Sequence, residues 1–156
     1  MRDTSLVYPI RGDGKILLGM KKRGLGEGKW NGFGGKREGR ESMEECAVRE
    51  LQEECGLRGT PDELVYQAHL FFEQPSDPSW NHWGFVYLLH SWTGTAVSSE
   101  EMEPRWFSAE ALPYGSMWEA DKVWLPAVLA GVFVKGTITF GSDGSTVTGL
   151  RLSEEK

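Results

Sequence analysis

The chain reads as a mixed α/β fold built around a central sheet, without the regular βαβ alternation of a doubly wound domain. Three observations support this. Residues 43–55 carry helix signals at both ends. Several runs rich in β-branched and aromatic residues are separated by Gly, Pro and Asn clusters, as strands are. A second apolar helical pattern, at residues 121–130, lies between two such runs. At 156 residues and 39% hydrophobic, with no shift in composition along its length, the chain suits one domain over residues 1–156 with one sizeable core.

Taken in order, residues 6–10 and 15–20 flank Gly12-Asp13-Gly14 and predict a hairpin. Residues 24–29 are glycine-rich and form a loop, followed by a short strand at 30–33. Ser42 and Glu45 make a capping box, and Gly56 is placed to end the helix that starts there. Strands follow at 64–73 and 84–92 around a proline-rich loop at 74–81. A further strand spans 102–107 and leads into a short helix at 108–112. The second main helix contains Pro126. Residues 132–140 and 146–152 predict a closing hairpin around Gly141-Ser142-Asp143-Gly144.

The first helix carries the chemistry. Its Glu50, Glu53 and Glu54 fall within an arc of about 100°, so three carboxylates share one face. Like charges at this spacing cost a few tenths of a kcal/mol per pair on a bare helix, and more where the face is half buried. A divalent cation removes that cost. Carboxylate oxygens suit a hard ion that also takes phosphate oxygens, which points to Mg2+ with Mn2+ as substitute. A merely solvated acidic face, anchored by Met43, Ala47, Val48, Leu51 and Cys55, is the competing reading of the helix alone. The glycines before it decide against that. Residues 35–57 match all nine specified positions of G-x5-E-x7-R-E-U-x-E-E-x-G-U, where U is aliphatic: Gly35, Glu41, Arg49, Glu50, Leu51, Glu53, Glu54, Gly56 and Leu57.

In carrying that motif the chain resembles the Nudix hydrolases. The resemblance implies an α/β/α sandwich with a mixed central sheet and the signature loop-helix-loop. It also implies a magnesium-dependent enzyme that cleaves a phosphoanhydride bond in a nucleoside diphosphate linked to another group. The Gly34-Gly35 pair permits close backbone approach, so the Gly34 carbonyl can reach a metal beside the helix carboxylates. In the family that carbonyl is a ligand. Glu50, Glu53 and Glu54 are the expected metal set, one of them also taking a proton from the attacking water. Arg49 is the expected orienting partner of a neighbouring carboxylate, and Lys36 is placed to neutralise phosphate oxygens. Glu101, which alone would read as a solvated residue, matches a further family carboxylate that joins the metal cluster.

Residues 17–24 and 28–36, Glu101-Met102-Glu103-Pro104, Trp106-Phe107 and Met117-Trp118 extend the likeness. They are similar to the family branch of animal MutT homologues, the oxidised purine nucleoside triphosphatases. This implies hydrolysis of 8-oxo-dGTP to monophosphate and pyrophosphate, a sanitation of the nucleotide pool. Asn31 and Asp121 match its base contacts, Trp118 its stacking ring and Met102 an apolar wall. Ala120 stands where that branch has a second aspartate, and Leu25 where it has an aromatic residue. Loss of one acid predicts a preference for oxidised guanine over oxidised adenine. The alternative is the same chemistry on another nucleoside triphosphate or a dinucleoside polyphosphate. A non-catalytic nucleotide-binding module would be expected to lack signature carboxylates, and none is missing.

A net charge of −6 disfavours duplex nucleic acid as a partner and leaves a small nucleotide arriving with its magnesium. No apolar run reaches membrane-spanning length and no signal-peptide pattern is present, so the expectation is a cytoplasmic monomer without a membrane partner. Cys46 and Cys55 lie nine residues apart on one helix, about 13 Å along its axis, which is beyond disulfide reach. His69, His82 and His90 are scattered and read as surface or core residues.

Overall fold

The computed structural model describes residues 2–155. Strands β1 (Arg2–Pro9), β2 (Ile16–Lys21) and β3 (Trp30–Asn31) precede helix α1 (Met43–Cys55). Then come β4 (Leu64–Glu73), β5 (His82–Leu89), β6 (Met102–Phe107), α2 (Asp121–Leu129), β7 (Phe133–Phe140) and β8 (Val147–Glu155). Two sheets result, one of five strands in the order β1-β5-β4-β7-β8 and one of three in the order β3-β2-β6. The larger is mixed: β1 runs parallel to β5 and β4 parallel to β7, while the other pairs are antiparallel.

Side chains alternate across the strands, so each buries two faces. Val7, Leu17, Tyr87 and Leu89 pack with Met43, Cys46, Ala47, Leu51 and Cys55 of α1. Their chain neighbours Tyr8, Ile16, Leu18, Val86 and Leu88 pack on the opposite side with Trp124, Leu125 and Val128 of α2. Two cores divided by strands and covered by one helix each make the α/β/α sandwich.

Helix α1 begins and ends where its caps predict. Ser42 Oγ accepts from the Glu45 N–H at 3.0 Å, Glu45 Oε1 accepts from the Ser42 N–H at 2.7 Å, and Gly56 takes φ 82°. Other expectations are corrected. The hairpin expected of the first two strands is confined to its tip, the Ile10–Ile16 bridge and the Arg11 N–H to Lys15 carbonyl bond at 2.8 Å, because the strands enter different sheets. Both edges of β1 are already occupied. β5 takes one along its whole length, and the segment after β3 takes the other through the Thr4–Lys36 and Val7–Phe33 bridges. Strand β5 starts two residues early and stops at Leu89, after which Thr93 pairs with Arg58 instead. The short helix at 108–112 is only a 3-10 turn over Ala109–Ala111. No helix among the described residues is long and apolar enough to cross a membrane.

Candidate active site

The segment that covers the free edge of β1 also presents the acidic face of α1. The carbonyls of Phe33 and Gly35 accept from the N–H groups of Val7 and Ser5 at 2.6 and 2.9 Å. In extended backbone the intervening residue faces the other way, and the Gly34 N–H donates to Glu54 Oε1 at 2.9 Å. In extended backbone a residue's carbonyl shares the side of its N–H, which would put the Gly34 carbonyl beside Glu54. Gly34 is sterically required, and Gly35 leaves room for the Glu50 carboxylate. A Cβ on Gly34 would sit 1.7 Å from the Ser5 carbonyl oxygen, and one on Gly35 would sit 2.7 Å from the Glu50 carboxylate.

Burial makes this face electrostatically costly. Glu54 is 6% exposed, and burial followed by repulsion from Glu50 pushes its carboxyl up to about 8. Burial also raises Glu50, against the lowering effect of Arg49. Arg49 is held by Glu41, which accepts from its Nε and Nη2 at 3.0 and 2.7 Å, and it donates through Nη1 to Glu50 at 2.8 Å. The guanidinium hydrogen bonds pull Glu41 down to about 2, so this acid stays ionised and clamps the arginine.

A cavity of about 260 Å3 opens from Glu54, Gly34, Gly35 and Lys21 between the two sheets towards Asn31, Met102, Trp118 and Asp121. Asn31 Oδ1 accepts from the Gly32 N–H at 2.9 Å and from the Tyr8 hydroxyl at 3.4 Å. An N–H can face only the amide oxygen, so the Asn31 NH2 is left for a ligand. Gly32 has no Cβ, which would come within 2.9 Å of the Tyr8 ring. Asp121 is buried, its Oδ2 has no partner, and burial pushes its carboxyl up to about 7. Lys29 Nζ lies 5.4 Å from the Trp118 ring centroid and acts against that rise in Asp121.

A family profile described as the NUDIX domain matches residues 1–128. The chain belongs to the Nudix family. It is 39% identical to the oxidized purine nucleoside triphosphate hydrolase of Mus musculus, over 90% of this chain and 87% of that one. It is 41% identical to the protein of that name from Danio rerio, over 74% and 72%. The MutT crystal structure from Bacillus halodurans superposes with a TM-score of 0.85 over 98% of both chains at 22% identity, which establishes a shared fold.

For this Nudix chain, the structure gathers Glu50, Glu54, Gly34, Asn31, Met102, Trp118 and Asp121 along one cavity and the helix face beside it. Other expected residues stand apart. The Glu53 side chain is 58% exposed and turned to Arg49 at 3.3 Å. Glu101 pairs with Arg23 at 2.7 Å and Lys21 at 3.1 Å, and these cations hold its carboxyl below the usual range. The Lys36 side chain does not line the cavity, and its carbonyl accepts from Arg49 instead. Among the described residues no three acidic, His or Cys side chains are drawn together as a metal cage. The donors present still fit a hard cation: two acids raised by burial, one of them also by the other's charge, and a backbone carbonyl on their side.

Glu41 stands in the signature, yet its role as the arginine clamp needed the tertiary contact. Tyr8, Lys29 and His82 are further additions. Burial raises the Asp121 carboxyl to about 7 with no second carboxylate beside it among the described residues.

Proposed function

We propose that this Nudix chain is a single-domain, Mg2+-dependent nucleoside triphosphate pyrophosphohydrolase. Its substrates are oxidised purine nucleoside triphosphates, 8-oxo-dGTP foremost, cleaved to monophosphate and pyrophosphate as nucleotide-pool sanitation in the cytoplasm. The observation that carries the reading is one cavity joining a buried carboxylate and glycine loop to a base-sized recess with complementary polar groups. The two oxidized purine nucleoside triphosphate hydrolases matched above support the substrate class.

Glu50, Glu54 and the Gly34 carbonyl would hold the metal, with Glu53 and Glu101 recruited from their present cationic partners. When bound, Mg2+ supplies charge neutralisation for phosphate oxygens and acidifies water. Arg49, clamped by Glu41, orients Glu50. Glu54 Oε2 makes no hydrogen bond among the described residues and takes the proton of the attacking water. Lys21, between Glu101 and the cavity, is placed to meet phosphate charge, as Lys36 is from outside it. At the far end the Asn31 NH2 donates to the purine carbonyl, ionised Asp121 accepts N1–H and the exocyclic amine, Trp118 stacks and Met102 walls the recess.

Initial rates on 8-oxo-dGTP, 2-oxo-dATP, dGTP and a dinucleoside polyphosphate, with Mg2+ present and then chelated, test this reading. The highest kcat/KM is expected on 8-oxo-dGTP, with pyrophosphate released and activity lost on chelation. A preference for the dinucleoside polyphosphate, or turnover that survives chelation, would overturn it.

A further inference from the structure

The oxidised edge of the substrate needs a reader. Oxidation at C8 turns purine N7 from a lone-pair acceptor into an N–H donor and adds a carbonyl. A site that prefers the oxidised base therefore needs a free acceptor facing N7. Asn31 cannot serve, because its oxygen already accepts twice. Asp121 is committed to the opposite edge. Of the hydroxyls in the wall, Thr4 Oγ1 donates to the Trp83 carbonyl at 2.9 Å and Ser5 Oγ meets Cys46 Sγ at 3.4 Å, and each oxygen keeps a lone pair but is held by a partner outside the recess.

His82 opens strand β5 and lines the cavity on the wall formed by the five-stranded sheet, across from Asn31 on the smaller one. Its Nδ1 lies 2.8 Å from the Trp80 carbonyl oxygen, an atom that only accepts, so Nδ1 carries the hydrogen. In the neutral ring Nε2 then carries a lone pair. That nitrogen makes no hydrogen bond among the described residues and is not a fully buried atom, on a side chain that lines the cavity. The ring is fixed in place by Phe72 and Trp80, with centroids at 5.1 and 4.8 Å.

We propose that His82 is a specificity residue: its Nε2 lone pair accepts the N7–H of an 8-oxopurine and repels the N7 lone pair of the unoxidised base. The proposal rests on the substrate reading above and names the group that discriminates within it. Burial holds the imidazole below its ordinary pKa against the raising effect of the Trp80 hydrogen bond, with Arg2 also lowering it, so the neutral acceptor form is the one present at neutral pH.

The test compares kcat/KM for 8-oxo-dGTP, dGTP and 8-bromo-dGTP in wild type, His82→Leu and His82→Gln. Wild type should prefer 8-oxo-dGTP over both others, since 8-bromo-dGTP fills the space at C8 but keeps the N7 lone pair. In His82→Leu the 8-oxo-dGTP to dGTP ratio should fall about tenfold, the size of one hydrogen bond exchanged for none. His82→Gln, which retains an acceptor oxygen, should restore part of it. An unchanged ratio in folded His82→Leu, with wild type still selective, overturns the role of His82 alone. A wild type that does not prefer 8-oxo-dGTP over dGTP overturns the substrate reading and this proposal with it. The wild-type protein also supplies a test that needs no variant. 7-Methyl-8-oxo-dGTP lacks the N7–H and should lose the advantage of 8-oxo-dGTP, and equal turnover of the two would refute the proposal.

Discussion

Replacing Asp121 with Asn should make the metal-free protein more stable and its recognition of guanine-type bases worse. Asp121 is 5% exposed, Oδ2 has no partner, and its carboxyl is pushed from 3.8 up to about 7, chiefly by burial. The folded state therefore holds this proton more tightly than the unfolded chain. Below about pH 4 both states are protonated and folding incurs no penalty. As the pH rises the unfolded chain ionises first, and stability drains until the folded carboxyl also ionises near pH 7. One pH unit corresponds to about 1.4 kcal/mol, so the full effect is about 4 kcal/mol at most. Asn is close in size and carries no such penalty.

Urea unfolding of the metal-free wild type and Asp121→Asn between pH 4 and pH 8.5 measures this directly. The stability difference should widen by about 1.4 kcal/mol per pH unit and level off above the folded pKa. In the same variant kcat/KM for 8-oxo-dGTP should fall tenfold or more, because an amide donor now faces base donors. Parallel stability curves would show that Asp121 is not a buried proton holder. Unchanged kcat/KM with normal Mg2+ dependence would show that it does not read the base.

Glu54→Gln should leave a folded protein with almost no turnover, and its metal-free melting temperature should hold or rise, most clearly above pH 8, since Glu54 is itself pushed up to about 8. Near-normal hydrolysis at saturating Mg2+ would remove Glu54 from the chemistry. Glu41→Gln should lower kcat about 10- to 100-fold with little change in base preference, because it releases Arg49 and through it Glu50; wild-type kcat would show that the clamp is idle. Gly34→Ala should fail to fold, since its Cβ meets backbone at 1.7 Å, whereas Gly35→Ala should fold and lose activity by displacing the movable Glu50 carboxylate. Circular dichroism and rates separate the two outcomes, and a well-folded, active Gly34→Ala would contradict the close approach to Ser5.

Helix α1 was legible because its signals lie within three or four residues of one another. The Ser42–Glu45 box and Gly56 are local hydrogen-bond and backbone effects, and they persist whatever the helix packs against. Their residue types and the turn-forming clusters around them predicted β4 and β6 with their observed bounds for the same reason. The spacing of Glu50, Glu53 and Glu54 determined a shared acidic face and the family. It did not determine how each acid is used. Glu53 and Glu101 are turned to cations, and the cations on Glu101 come from positions about 80 residues away.

The partnering of β1 was a tertiary decision too. A turn at Gly12–Gly14 permits a hairpin, but β5 and the 33–36 segment compete for the same edges and win them. Asp121, Asn31 and His82 are polar residues of ordinary type until the cavity closes around them. The sequence by itself determined the local elements, the acidic helix face and the family, because those depend on near neighbours along the chain. Only the tertiary structure set which acids are desolvated, which side of Asn31 is free and which ring nitrogen of His82 keeps its lone pair. Each of these depends on burial and on partners that the fold brings from elsewhere in the chain.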